Sequence, residues 1–239
     1  ITTVEDLAVL KRVIVQNVAK TGYAVLNAAD PIVAAMASVC PGKVVFFAQD
    51  RHHPVMATHR VQGQRTVYVD GTFLVASEGA WREAIALRDI PITRDGTIGF
   101  QVENVMAAVA GAWCAGVPWE AIRSGLASFM NDADNAPGRF NVMEYKGATI
   151  IADYGHNPDA MRALVAAVDA MPAKRRSVLI SGAGDRRDED IREQTQILGA
   201  AFDDVLLYQD ACQRGREDGE VIALLRQGLS GASRTQYVE

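Results

Sequence analysis

The sequence predicts an α/β fold in two successive units, on three observations. Short apolar runs rich in β-branched and aromatic residues, Tyr23-Ala-Val-Leu-Asn27 and Lys43-Val-Val-Phe-Phe-Ala48, alternate with segments of helical spacing, as a parallel sheet requires. The run Asn131-Asp-Ala-Asp-Asn-Ala-Pro-Gly138 gathers turn-forming polar residues and marks the best boundary between units. Behind it the alternation of strand and helix starts again.

Thr3 and Asp6 form a capping-box pattern, and Leu7, Leu10, Val13, Ile14 and Val18 keep helical spacing, so a helix is expected over 3–20. Tyr23–Asn27 is a buried strand. Asp30 as N-cap and Pro31 at the first helical position open a helix to about Ser38. Lys43–Ala48 is a second buried strand. Residues 55–76 alternate polar and apolar, and Asp70-Gly71 sits between Thr66–Val69 and Thr72–Val75, which predicts an antiparallel hairpin at a sheet edge or in a small second sheet. An Ala-rich helix is expected from Val102 to Ala115, ended by Gly116, and Pro118 opens another to Phe129. In the second unit strands are expected at 139–145 and 148–153 around Lys146-Gly147. A helix at 158–170, a strand at 177–182, a helix at 188–201, a strand at 204–208 and a helix at 217–229 follow.

At 239 residues, 49% of them apolar, the chain can bury a real core. A net charge of −5 argues against a dedicated nucleic-acid binder, since phosphate binding relies on clustered Lys and Arg. Cys40, Cys114 and Cys212 are odd in number and widely spaced, which suggests neither a disulfide framework nor a zinc site and fits a reducing cytoplasm. No apolar run is long enough for a membrane span. The chain begins inside a helical pattern without Met, and Gln236–Glu239 reads as the start of a new element, so a piece of a longer protein is expected.

Two stretches sit where open α/β sheets place ligands, at the carboxyl end of a strand and ahead of a helix. In Asp153-Tyr-Gly-His-Asn-Pro158, Asp153 has the chemistry to accept hydrogen bonds from ribose hydroxyls, and His156 and Asn157 to reach a phosphate; equally, Asn157 is an N-cap and His156 a surface loop residue. In Ser181-Gly-Ala-Gly-Asp-Arg-Arg-Asp-Glu-Asp190, glycines let backbone N–H groups approach an anion, and Arg186 and Arg187 offer forks for a carboxylate. The bland alternative is an acidic first turn matched to the helix dipole, with the arginines paired to it. Arg139, after Pro137-Gly138, is either a cation at an inter-unit hinge or a solvated linker residue. His52 and His53 have no partner at metal-ligand spacing, and Cys114 reads as packing.

Taken together these stretches resemble the Mur ligase superfamily. Asn27-Ala-Ala-Asp-Pro31, Asp153–Pro158 and Gly182–Asp188 are similar to its N-A-D-D-P, D-Y-A-H-N-P and G-x-G-x-D-R-D segments. Gln101-Val-Glu-Asn104, Asn131–Asn141 and Gly184-Asp-Arg-Arg-Asp-Glu-Asp190 resemble, more narrowly, the cyanophycin synthetase family. The resemblance covers nearly the whole chain. It implies the rear part of a Mur ligase central, P-loop-type α/β domain over 1–138, lacking the P-loop, followed by a Rossmann-like C-terminal lid domain over 139–239. The implied activity is ATP-dependent isopeptide ligation of arginine to the aspartate β-carboxylate of a poly-aspartate backbone through an acyl-phosphate. ATP and Mg²⁺ are the implied cofactors, with metal ligands upstream, and no catalytic or metal residue is assigned within the chain. Partners implied are arginine, the cyanophycin polymer end, upstream ATP-grasp and P-loop portions of the same protein, and a homo-oligomer in the cytoplasm, with no nucleic acid and no membrane.

By residue, the resemblance puts Arg139 and Asp153 near the ATP ribose, Gln101 near the adenine, and His156 and Asn157 on the nucleotide side of the lid. Gly184, Asp185, Arg186, Arg187 and Asp188 face the incoming arginine or polymer end. The chain departs from the family in having Phe100-Gln101 where Gly-His-Asn is expected, and in lacking a Walker-type loop. Alternatives are another Mur-type ligase, of the peptidoglycan or folylpolyglutamate kind, and a non-catalytic nucleotide- or polymer-binding module.

Overall fold

The computed structural model describes residues 3–231. The chain divides into two compact units, Ile1–Met130 and Asn131–Glu239.

In the first unit Thr3 Oγ1 accepts the Asp6 N–H at 3.0 Å and starts α1 (Val4–Gln16). The helix stops short of the expected residue 20 because Asn17 turns back, its Nδ2 donating to the Val13 carbonyl at 2.7 Å. Five strands follow: β1 (Tyr23–Asn27), β2 (Lys43–Asp50), β3 (Thr66–Asp70), β4 (Phe73–Glu78) and β5 (Trp81–Ala86), in that spatial order. The β1-β2 and β2-β3 pairs are parallel and the rest antiparallel. Between β1 and β2 runs α2 (Pro31–Ala35), capped by the Asp30 carboxylate on the Ile32 and Val33 N–H groups and continued by a 3-10 turn over Met36–Val39. A helix α3 (Pro54–Val61) connects β2 to β3.

Strand alternation sorts side chains to two faces. Ala24, Leu26, Phe46, Ala48 and Tyr68 pack under α1, α2 and α3. Val45, Phe47, Val67, Leu74 and Ile85 pack under α4 (Gly99–Cys114) and α5 (Trp119–Ser128).

The Asp70-Gly71 hairpin forms, with Gly71 at φ 61°, but it is neither a sheet edge nor a second sheet. Pro54 starts a helix inside the stretch that reads as alternating, and this crossover delivers β3 parallel to β2 in the middle of the sheet. The edge on the hairpin side belongs to β5, whose Arg82-Glu83 pair hides the strand from an apolar pattern. Arg123 of α5 covers that edge, donating to the Ala84 carbonyl at 2.9 Å and pairing with Glu83. Beside it Trp81, Trp113 and Trp119 cluster with ring centroids 5.1, 5.4 and 5.7 Å apart, and the Arg65 guanidinium lies 4.3 Å from the Trp113 ring centre.

In the second unit β6 (Asn141–Tyr145) and β7 (Ala148–Ala152) form a hairpin. Its turn residues Lys146 and Gly147 are at φ 51° and 81°, the pattern of a two-residue hairpin loop. The strand starts two residues later than expected because Phe140 is left-handed, at φ 54°. Next come α6 (Pro158–Asp169), β8 (Ser177–Ile180), α7 (Asp188–Ala201), β9 (Asp204–Leu207) and α8 (Glu220–Leu229), with β8 and β9 parallel. Their core includes Met161, Ile191, Leu198, Val205 and Leu225. The helix expected from 217 begins only after Gly219, at φ 82°. The element expected at 236–239 lies outside the described residues.

The β8-β9 pair is tied at its start by Arg175, which forks the Asp204 carboxylate at 2.5 and 2.7 Å while the Ser177 hydroxyl donates at 2.8 Å. The Arg175 bonds, and then the Ser177 bond, hold the Asp204 carboxyl down from 3.8 to about 2. A depressed folded pKa stabilises above the unfolded value and loses that contribution as pH falls through the folded one. Asp204→Asn is therefore expected to be less stable than the parent at neutral pH and to match it near about pH 2, as urea titrations at the two pH values would check.

Candidate functional site

Three loops of the second unit leave the carboxyl ends of β7, β8 and β9, the position at which open α/β sheets bind ligands. The first follows β7 and holds Asp153, Tyr154, His156 and Asn157. Asp153 Oδ2 accepts the Phe140 N–H at 2.9 Å and Oδ1 the Gly155 N–H at 2.6 Å, while the Tyr154 N–H donates to the Gly138 carbonyl at 2.8 Å. This carboxylate thereby clamps the left-handed Gly138–Phe140 turn, with Gly138 at φ 69° and Phe140 at 54°, to the strand end. Arg139 is carried at the tip of that turn, exposed.

Beneath the turn lies Asn141, 1% exposed. Its Oδ1 accepts the Gly138 N–H at 2.7 Å, and its Nδ2 donates to the Ala136 carbonyl at 2.9 Å and the Asn131 carbonyl at 3.3 Å. Asn131 in turn donates to the Arg139 carbonyl at 2.6 Å. Asn141 is thus a positioning residue that sequence reasoning passed over, since a polar residue at the start of a strand carries no signal of which carbonyls it will meet. Asn157 caps α6, its Oδ1 accepting the Ala160 N–H at 2.8 Å, and Pro158 occupies the first turn. His156 Nδ1 lies 3.0 Å from the Tyr154 carbonyl, with the two rings 5.3 Å apart.

The second loop, after β8, holds Gly184 to Asp188. Gly184 is needed by packing: a Cβ there would stand 2.1 Å from the Gln213 carbonyl oxygen. Arg187 forks Asp190 at 2.7 and 2.9 Å within the first turn of α7, so that guanidinium is satisfied locally and stays cationic. Arg186 Nε and Ser181 Oγ are buried without a hydrogen-bond partner, two polar atoms of one loop in search of acceptor or donor.

The third loop, 208–219, supplies Arg214 and Arg216, which the sequence reading missed. Arg216 is the bracket of the site: it donates to the Gly184 carbonyl at 2.7 Å, the Arg186 carbonyl at 2.8 Å, Asp188 at 2.8 Å and Glu220 at 2.6 Å. Bonds to Asp188 and then Glu220 push its pKa further up. Arg214, left-handed at φ 49°, donates to Tyr154 Oη at 2.9 Å and to Asp185 at 3.2 Å, which likewise raises its pKa, the tyrosine bond first. A local signal for both arginines was available in Gln213-Arg-Gly-Arg216, a glycine between two cations in the loop that follows β9.

Asp153, Tyr154, Asp185, Asp188 and the two arginines therefore form one connected constellation. Gln101 belongs to the first unit, in the first turn of α4, 4% exposed, with its Oε1 accepting from Asn104 Nδ2 at 3.2 Å. Asp153 spends one backbone bond on each carboxylate oxygen and is exposed, so each oxygen keeps acceptor capacity for a further donor. Among the described residues no three His, Cys, Asp or Glu side chains group to hold a metal ion.

Comparison with known proteins finds relatives of both units. The family model for the Mur ligase, glutamate ligase domain matches residues 138–239. A cyanophycin synthetase from Geminocystis herdmanii is 37% identical over 231 residues, covering 96% of this chain and 26% of that protein. The chain spans about a quarter of the length of the curated relatives it matches first. Among solved structures, MurF from Acinetobacter baumannii superposes with a TM-score of 0.66 at 17% identity, covering 97% of this chain and 45% of that one. E. coli FolC, in complex with DHPP and ADP, gives 0.63 at 20% identity, covering 98% and 48%. At these identities the two structures speak for the fold.

Proposed function

We propose, from the match of residues 138–239 to the Mur ligase, glutamate ligase domain, that the chain is part of an ATP-dependent amino-acid ligase that joins arginine to the aspartate β-carboxylate of a poly-aspartate backbone. Similarity to cyanophycin synthetases along 96% of the chain supports the substrate assignment. In this reading residues 1–138 are the rear part of the central domain and 139–239 the lid, and the reaction needs the remainder of the polypeptide.

The observation that carries the proposal is the Tyr154–Arg214–Asp185 link, which ties the loop offered to the nucleotide to the loop offered to the amino acid. Asp153 and Arg139 hold the ribose and its neighbourhood, and His156 and Asn157 line the nucleotide side. Gly184 to Asp188 receive the arginine or polymer end, where Asp185 and Asp188 suit a guanidinium and the unpartnered Arg186 Nε and Ser181 Oγ suit a bound polar group. A carboxylate oxygen takes the γ-phosphoryl group and ADP leaves. The arginine α-amine then attacks the acyl carbon, phosphate departs, and the nitrogen loses a proton. Mg²⁺ would supply charge neutralisation at the phosphates; its ligands are assigned to protein outside this chain. A cytoplasmic setting goes with this reading, and no helix among the described residues is long and apolar enough to cross a membrane.

The test is ADP release by the full-length protein with an Asp-terminated primer, with and without arginine. Stimulation by arginine supports the proposal. Stimulation instead by diaminopimelate, D-alanyl-D-alanine or glutamate with the matching acceptor would reassign it to another Mur-type ligase, and ATP binding without turnover on any acceptor would leave a binding module.

A further inference from the structure

Strand β2 is irregular at its carboxyl end. Ala48 pairs with Tyr68 and Asp50 with Val69, so Gln49 stands in this parallel ladder as an extra residue, a β-bulge. Bulges are uncommon between parallel strands; they re-aim a side chain and gather beside active sites. Val45 and Phe47, the alternate residues ahead of Gln49, pack under α4, and Gln49 continues their face. Its Nε2 donates to the Gly99 carbonyl at 3.2 Å and to Glu103 Oε1 at 3.3 Å. One exposed amide thereby ties the end of a parallel strand to the start of a helix 50 residues further along the chain.

The tie falls where the helix lacks the usual one. Ile98, the N-cap of α4, offers no side-chain bond to the first turn. The Gln101 side chain in that turn is buried and engaged by Asn104, so the groups this end of the helix can offer a ligand belong to Gly99, Glu103 and Asn104, which are half-buried or exposed. Gln49 holds two of those three in place. We propose that Gln49 is a positioning residue for ATP: it fixes the start of α4 at the carboxyl end of the sheet, where an open α/β sheet takes its ligand, and so sets the affinity of the first unit for the nucleotide. This inference rests on the ATP-dependent ligase reading and is independent of which amino acid is joined. Gln49→Glu isolates the donor, since it keeps the shape of the side chain and replaces Nε2 with an oxygen facing the Gly99 carbonyl and a second carboxylate.

Hydrogen exchange of the segment 98–104 in the full-length protein, followed at rising ATP concentration, tests it. ATP is expected to slow exchange there in the parent, and Gln49→Glu to raise the ATP concentration of half-maximal slowing about 10-fold, the order of one lost bond to a charged group. The double variant Gln49→Glu, Glu103→Gln returns a donor from the other side and is expected to recover part of that shift. ATP leaving the segment's exchange unchanged in the parent overturns the proposal, as does an equal midpoint in parent and Gln49→Glu, or a lowered Tm with an unmoved midpoint, which is what a merely structural role would give. Should Gln49→Glu fail to fold, Gln49→Met, which removes the donor without adding charge, is held to the same shift. Arginine-stimulated ADP release is read separately: its absence ends the arginine assignment and leaves the ATP midpoints to decide for Gln49, whereas an unmoved midpoint beside intact stimulation ends this inference alone.

Discussion

Asp153→Ala in the full-length protein is expected to lower arginine-dependent ADP release about 100-fold, the order expected when a binding turn moves by an ångström. The carboxylate also has a structural part. It holds the Phe140 and Gly155 N–H groups, and so fixes a turn in which Gly138 and Phe140 are both left-handed and Arg139 is displayed. Phe140 in that conformation is costly for a residue with a bulky side chain, and it needs the surrounding bonds to persist. Loss of the carboxylate frees the turn and takes Arg139 with it. Asp153→Asn keeps one acceptor oxygen and is expected to fall between the two. Steady-state assays with arginine, compared with aspartate addition by the same protein, separate the cases: equal loss of both activities would mean a folding defect and would sink the assignment of Asp153 to the arginine step.

Gly184→Ala is the second change with a large expected effect, because its clash is with backbone. A methyl group at 2.1 Å from the Gln213 carbonyl oxygen has no flexible side chain to push aside. The loop 208–219 has to move, and Arg216 then loses the Gly184 and Arg186 carbonyls it brackets. A cost of about 1–3 kcal/mol in urea unfolding is expected, as for overpacked sites. A KM for arginine raised about 10-fold at nearly constant kcat is expected with it, since a displaced loop removes ground-state binding. Gly111→Ala is the control: it meets nothing within 4 Å on the outside of α4, and is expected to raise stability by up to about 1 kcal/mol through helix propensity and to leave the KM for arginine unchanged. A KM for arginine unmoved in Gly184→Ala would separate this loop from the amino acid.

The two substitutions also mark what could be read before the fold was known. Apolar runs made β1 and β2 plain, and the Asn157-Pro158 pair placed the start of α6, because those signals are local and the physics behind them is local. The start of α3 was hidden because His53 stands before Pro54 without a side-chain capping bond, so the usual Ser, Thr or Asp signature is absent. The edge strand β5 was hidden by its charges. In the site, the candidate loops were legible from their position after strands. Their wiring was not: Asp153 meets Phe140 across a hairpin, Arg216 meets Gly184 across a helix and a strand, and Asn141 meets carbonyls on a turn that exists only once it is folded. Arg187 with Asp190 is the exception, a pair three residues apart that helical geometry brings together by itself.

The tryptophan cluster beside β5 has a practical side. All three tryptophans of the chain, Trp81, Trp113 and Trp119, belong to the first unit, and the second unit carries tyrosine but no tryptophan. Indole emission therefore reports the melting of the first unit and is blind to the second, whereas far-ultraviolet dichroism registers both. A denaturation curve followed by both optical signals would give, from one sample and without labels, a direct reading of whether the two halves come apart together or in turn.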